Sequence, residues 1–131
     1  MKQRYLQWAL PFVFLITTAA ILSSTGRAGR TGSPGESTCV SCHNDFTLNS
    51  GGGSVTIRNT GMNNWTYVPG TTYTISVKVA KAGATSFGVG VECLTAANGN
   101  AGTLVITNPG STKLLNATVS GVSRINVVHT Q

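Results

Sequence analysis

The chain is poor in the residues on which most enzyme sites and charged interfaces depend. Its 131 residues include three acidic and nine basic side chains, three cysteines and two histidines. Two histidines are too few for a nucleophile triad if one of them binds a metal, so we expect no enzyme activity. The basic residues form no cluster and do not alternate with aromatic residues, which argues against a nucleic-acid partner.

Glycine, serine, threonine, asparagine and valine are abundant instead, a mixture typical of strands joined by turns. No pattern of a long helix is evident, and the length suits one small domain. The clearest strand is predicted at 71–81, where apolar and polar residues alternate. The recurrence of short strands predicts an all-β fold, an antiparallel β-sandwich. The other predicted strands are 55–58, 65–67, 87–93, 104–106, 114–119 and 125–129.

Residues 1–28 are predicted to be a signal peptide. Lys2 and Arg4 precede a mostly apolar run of 15 residues, Trp8 to Leu22, and small residues follow, so we expect cleavage after Ala28. The run is shorter than the about 20 residues of a membrane span, so contact with the membrane is expected only through an uncleaved signal segment. The predicted location is periplasmic, secreted or cell-surface. Cleavage would leave six basic and three acidic residues and lower the formal net charge from +6 to +3.

The segment with the most specific chemistry is Cys39-Val40-Ser41-Cys42-His43, the attachment pattern for c-type haem. Two thiols about one turn apart can each bond to a vinyl group of one porphyrin. The adjacent histidine can then bind the iron as proximal ligand. We therefore predict one covalent haem c on Cys39 and Cys42, with His43 as a metal ligand. A short-loop disulfide and part of a zinc site are the alternatives, and the zinc site lacks a second cysteine pair.

The second axial position of the iron has two candidate ligands. His129 is the other histidine, and Met62 is the one methionine that follows the predicted signal peptide. We predict His129 as the distal ligand, because Met62 lies in a Gly/Asn turn where packing on Trp65 accounts for it. If His129 is an ordinary surface residue, the iron site stays open and suits a gas or redox sensor.

Three further expectations concern residues near the haem motif or in the strands. The composition of 29–38 predicts a flexible linker, and the alternative is an arm along one haem edge with Arg30 near a propionate. Glu36 and Asp45 are expected to be solvated loop residues. Cys93 continues the apolar side of its strand and is expected to be a buried free thiol.

Several segments in this order resemble one family: GRTGSPGESTCVSCHN, GGGSVTI, YVPGTTYTISVKV, FGVGVECLTA with NGNAGTL, and the final VVHTQ. The chain from Gly29 to Gln131 is similar to bacterial secreted domains of the choice-of-anchor type and to the Reeler domain. The resemblance implies a Reeler-like sandwich preceded by a haem-binding loop, with the family's late His-Thr pair at His129-Thr130. Family members continue past this pair with strands that close the sandwich. Their absence here implies an open sheet edge and self-association through it.

The predicted organisation is therefore a signal peptide at 1–28, a haem-attachment arm at 29–53 and a β-sandwich at 54–131. The predicted function is an exported mono-haem c-type cytochrome, an electron carrier or surface redox module that docks with a redox partner protein. The alternative is a cell-surface binding or adhesion domain with a structural haem or none. In that case Trp65 and Tyr67 are the candidate contact residues.

Overall fold

The computed structural model describes residues 25–131, which form two antiparallel sheets. Within this range the one helical element is a 3₁₀ turn at Cys39–Ser41, and no helix is long and apolar enough to cross a membrane. The predicted all-β, antiparallel fold is confirmed. Most of the predicted signal peptide, residues 1–24, lies outside the described residues. The strands are β1 (Ser54–Thr60), β2 (Thr74–Ala80), β3 (Gly90–Val91), β4 (Thr112–Val119) and β5 (Val122–His129).

Strands β1 and β2 form a two-stranded sheet. Val55 pairs with Val79 and Ile57 pairs with Val77, so the four branched side chains share one face. The alternation predicted for 71–81 is confirmed in β2. This face is not covered by other described residues: Val55 is 66% and Ile57 is 53% exposed.

Strands β3, β5 and β4 form the second sheet, with β5 in the middle. Strands β4 and β5 are joined by two residues, Ser120 and Gly121, and Val119 pairs with Val122 across them. Both turn residues have positive φ angles, 49° and 82°. Such two-residue turns match the right-handed twist of the flanking strands, which fixes the register of this hairpin.

Two predicted strands are absent. At 65–67 the chain turns instead, because Asn64 and Trp65 adopt positive φ angles of 48° and 60°. An isolated bridge between Asn63 and Thr66 closes this turn. Residues 104–106 join neither of the two sheets.

The strand predicted at 87–93 is reduced to Gly90–Val91. Glycine weakens a strand because it offers no side chain to pack, and Gly88 and Gly90 alternate through this segment. The prediction that Cys93 is buried is wrong, since its thiol is exposed. The preceding side chain, Glu92, is 4% exposed and pairs with Arg124. The polar residue therefore points into the protein and Cys93 points to solvent.

The buried side of β5 is polar. Arg124 is 3% exposed, and Asn126 and Val128 are fully buried. Arg124 Nη1 lies 3.7 Å from Oε1 of Glu92, and Asn126 Nδ2 donates a hydrogen bond of 3.0 Å to Oε2 of the same carboxylate. We call Glu92, Arg124 and Asn126 the polar cluster. It occupies a position where the alternation of a β-sandwich predicts aliphatic side chains.

The segment 29–38 lies on the polar cluster, so the prediction of a flexible linker is wrong. The Gly29 amide donates to Asn126 Oδ1 at 2.6 Å. Arg124 Nη1 donates to the Pro34 carbonyl at 2.9 Å and to Ser33 Oγ at 3.2 Å, and the Ser33 hydroxyl in turn donates to Glu92. The segment is ordered because its hydroxyl and backbone groups satisfy charges that the sheet has removed from water.

Glu36 also differs from expectation. It is half-buried, and its Oε2 accepts a hydrogen bond of 3.0 Å from the Thr31 amide and lies 2.7 Å from the Thr31 hydroxyl oxygen. The carboxylate therefore stabilises a turn within the segment. Asp45, in contrast, is exposed as predicted.

Removal of the arginine from the polar cluster tests its contribution to stability. In Arg124→Ala, Glu92 stays buried without its cation, so we expect a loss of about 3–5 kcal/mol in the free energy of unfolding. The matched control is Arg58→Ala on exposed β1, which should change it by less than about 0.5 kcal/mol. Urea unfolding of both variants measures the difference, and equal losses would contradict the role given to the cluster.

Candidate functional site

One cleft brings together all four residues predicted from the sequence. Its walls are formed by Thr25–Arg30, by the turn that carries the haem motif, and by the end of β5 beside Val89 and Gly90. The cleft has a volume of about 70 Å³. The predicted residues that line it are Cys39, Cys42, His43 and His129.

The haem motif forms a tight turn. The amides of Cys42 and His43 both donate to the Cys39 carbonyl, at 3.2 and 2.9 Å. This geometry brings the two thiols and His43 around a single turn of backbone, as the spacing predicts. All three side chains are exposed, and both thiols are free, so the alternative of a disulfide between them is not present in this structure.

His129 ends β5 and is half-buried. Its Nδ1 lies 3.1 Å from both the amide nitrogen and the carbonyl oxygen of Val89, so the backbone holds this ring nitrogen in either tautomer. Among the described residues, Nε2 has no hydrogen-bond partner. A metal-binding histidine commonly donates one ring N–H to a backbone carbonyl, which leaves the other nitrogen for the metal.

Two glycines pack against the His129 ring. A Cβ atom at Gly26 would come within 2.9 Å of Nδ1, and one at Gly88 within 3.3 Å of Cε1. Any side chain at Gly26 would therefore displace the ring or the backbone beside it. Neither glycine was predicted as a site residue, because a sequence offers no signal for a glycine that contacts a side chain 103 (129 − 26) or 41 (129 − 88) residues away.

The cleft is basic. Arg27 and Arg30 line it together with the two histidines, and none of its described lining residues is acidic. Arg30 Nη1 donates to the Gly29 carbonyl at 3.0 Å and to Ser37 Oγ at 2.6 Å, while its buried Nε has no partner within the described part of the chain. Such a lining suits the carboxylates of a ligand. The basic lining favours the alternative in which 29–38 is an arm along one haem edge. Arg27, which the sequence analysis assigned to the signal peptide, lines the same cleft as Arg30.

The arrangement differs from a compact metal site. The described residues contain no group of three or more His, Cys, Asp or Glu side chains close enough to hold one metal ion. Zinc in a structural site needs four ligands around one point, so the geometry does not favour that alternative. Two thiols and two separated imidazoles fit a larger group that can bond to the thiols at its edge and to both imidazoles at one central metal. A haem has this form.

The cleft is smaller than the pockets of about 300–1,000 Å³ that enclose small ligands. A porphyrin joined to Cys39 and Cys42 would therefore lie partly outside it, over the exposed turn. Met62, the alternative iron ligand, does not line the cleft, and its amide donates to Asn59 Oδ1 within its own loop.

Comparison with known protein families, with curated proteins and with solved structures finds no match to this chain. The resemblance to Reeler and choice-of-anchor domains therefore stays a prediction.

The exposure of the three thiols predicts their reactivity. In haem-free protein made in a reducing cytoplasm, we expect three thiols to react with a thiol reagent under native conditions, because Cys39, Cys42 and Cys93 are all exposed. Cys93→Ser should lower the count to two, and the double variant Cys39→Ser/Cys42→Ser to one. Mass spectrometry of the labelled protein counts them. A thiol that reacts only after denaturation would contradict this placement.

Proposed function

We propose that the protein is an exported mono-haem c-type cytochrome that carries electrons between partner proteins. The observation that carries the proposal is the shared cleft, in which the turn with the Cys-x-x-Cys-His pattern meets a second histidine whose Nε2 has no partner among residues 25–131. The sequence pattern supplies the attachment chemistry, and the fold supplies the second imidazole.

Each residue has a distinct role in this proposal. Cys39 and Cys42 would hold the porphyrin through thioether bonds, each formed by addition of an S–H group across a vinyl group with no leaving group. His43 and His129 would be the ligands of the iron, with the Val89 backbone fixing the direction of the His129 ring. The bound haem supplies an iron that exchanges one electron between its ferric and ferrous states.

The surroundings of the cleft favour electron transfer over catalysis. Its described lining has no carboxylate to act as an acid or base, and two histidine ligands leave no iron position open for a substrate. The attachment turn is exposed, so a haem held there presents an edge to solvent and to a docking partner.

Attachment is tested by export from a host with haem-maturation machinery. We expect a sharp α band in the reduced-minus-oxidised spectrum and a denatured mass heavier by one haem. Cys39→Ser/Cys42→Ser should lose both signals, whereas Cys93→Ser should keep them, because Cys93 lies outside the cleft. A bare polypeptide mass in the parent protein would overturn the proposal.

The axial ligand is tested by His129→Ala against Met62→Leu. Loss of His129 should convert the ferric spectrum from low spin to high spin, because the described lining of the cleft offers no strong-field side chain besides the two histidines. Met62→Leu should leave the spectrum unchanged. The reverse result would assign the iron to Met62, and an unchanged spectrum in both variants would leave neither as the ligand.

The two arginines should raise the reduction potential, because a positive charge favours the ferrous state. Arg27→Gln is expected to lower the potential by about 20–70 mV, the size of one charge acting over about 10 Å at an effective dielectric constant between about 80 and about 20. Lys81→Gln, outside the cleft, is the control for a change of net charge. Redox titration at low salt measures both, and equal shifts would contradict a local role for Arg27.

A cell-surface binding domain is the second candidate function. The loop after β1 exposes Trp65 by 56%, Tyr67 by 66% and Val68 by 60%, and large aromatic side chains commonly anchor binding surfaces. This candidate gains support if the exported protein carries no haem.

A further inference from the structure

We propose that residues 25–28 form a strap that stays on the exported chain, and that Gly26 within it positions His129. The sequence predicts cleavage after Ala28, which would remove this strap. The inference that the strap is retained stands without haem, whereas its effect on an iron ligand rests on the proposed function.

The strap is bonded to the end of β5. The Gly26 amide donates a hydrogen bond of 3.0 Å to the His129 carbonyl, and Gly26 is buried. A Cβ atom at this position would lie 2.7 Å from Cβ of Val128 and 2.9 Å from the amide nitrogen of His129. Separations this short leave room for glycine alone, so the strap lies directly against the strand that carries His129.

Cleavage after Ala28 would disturb the polar cluster. It would convert the Gly29 amide into a charged amino group 2.6 Å from Oδ1 of Asn126, a side chain that is fully buried. Placing an additional charge there carries a desolvation cost that the amide does not have. The cut would also uncover Val128, which is fully buried in the intact domain. The folded domain therefore includes the strap, and any processing that preserves it falls before Thr25.

The strap also closes one side of the candidate site. Thr25 and Arg27 line the cleft, and Gly26 lies between them against the His129 ring. Without the strap, the ring keeps its contacts with Val89 and Gly88 and loses its contact with Gly26. Gly26 is thus a positioning residue for His129, because it acts through packing and contributes no side chain of its own.

The mature N-terminus is the first test. Intact mass and N-terminal sequencing of the exported protein should place its first residue at or before Thr25. A first residue after Thr25 would overturn the retention of the strap, whether or not a haem is attached.

The positioning role is tested by Gly26→Ala against Gly52→Ala. An added Cβ at Gly52 meets nothing within 4 Å, so this control changes only the backbone preference. In haem-free protein, Gly26→Ala should lower the melting temperature by at least about 4 °C and shift the His129 imidazole NMR signals. His129→Gln identifies those signals. Gly52→Ala should do neither, and equal behaviour of the two variants would overturn the role of Gly26.

The same pair of variants is then compared with haem attached. Gly26→Ala should raise the high-spin fraction of the ferric protein, whereas Gly52→Ala should match the parent. If the haem-free shift is present and the haem-loaded spectra agree, Gly26 holds His129 but His129 does not bind iron. That result would overturn the link to the distal ligand. If no haem attaches to any variant, the proposed function fails while the haem-free comparison still decides the strap.

Discussion

The polar cluster is the interaction on which the rest of the structure depends. Glu92 is buried beside Arg124 and Asn126, and the removal of a carboxylate and a guanidinium from water costs several kcal/mol for each ion. The attraction between the carboxylate and the guanidinium offsets this cost only when further hydrogen bonds satisfy the remaining polar atoms of both groups. The segment 29–38 provides those bonds through Ser33, the Pro34 carbonyl and the Gly29 amide. The cluster and the segment therefore stabilise each other, and neither is satisfied alone.

This dependence sets the geometry of the candidate site. The turn with the Cys-x-x-Cys-His pattern directly follows the segment that covers the polar cluster, and His129 ends the strand that carries Arg124 and Asn126. The two histidines are far apart in sequence, yet both line one cleft. The segment that precedes His43 is hydrogen-bonded to the polar cluster, and two members of that cluster lie on the strand that ends at His129. A displaced segment would therefore move His43 away from His129 without altering either residue.

Part of this arrangement follows from the sequence. Alternation predicts β1, β2, β4 and β5, because each has one apolar face, and the Cys-x-x-Cys-His pattern predicts the turn around Cys39. Alternation fails at Glu92 and Cys93, because it assigns the polar residue to solvent, whereas Glu92 is held inside by an arginine 32 positions later. The sequence offers one signal that Glu92 is unusual: it is one of three acidic residues in the chain and stands within an apolar strand pattern. The order of 29–38 could not be predicted either, since its composition is that of a linker and its partners are distant.

The small apolar core gives a physical reason for covalent attachment in the proposed function. Among the described residues, Val119 and Val128 are the buried apolar side chains, so the fold has little aliphatic packing with which to enclose a cofactor. A cleft of about 70 Å³ could not hold a porphyrin by burial alone. Two covalent bonds remove the need for such a pocket, because the tethered haem cannot diffuse away even when one edge is in solvent. An exposed haem edge would also allow an electron to pass to a partner protein that docks on this surface. The shallow cleft, the exposed turn and the basic lining are thus consistent with the proposed electron carrier.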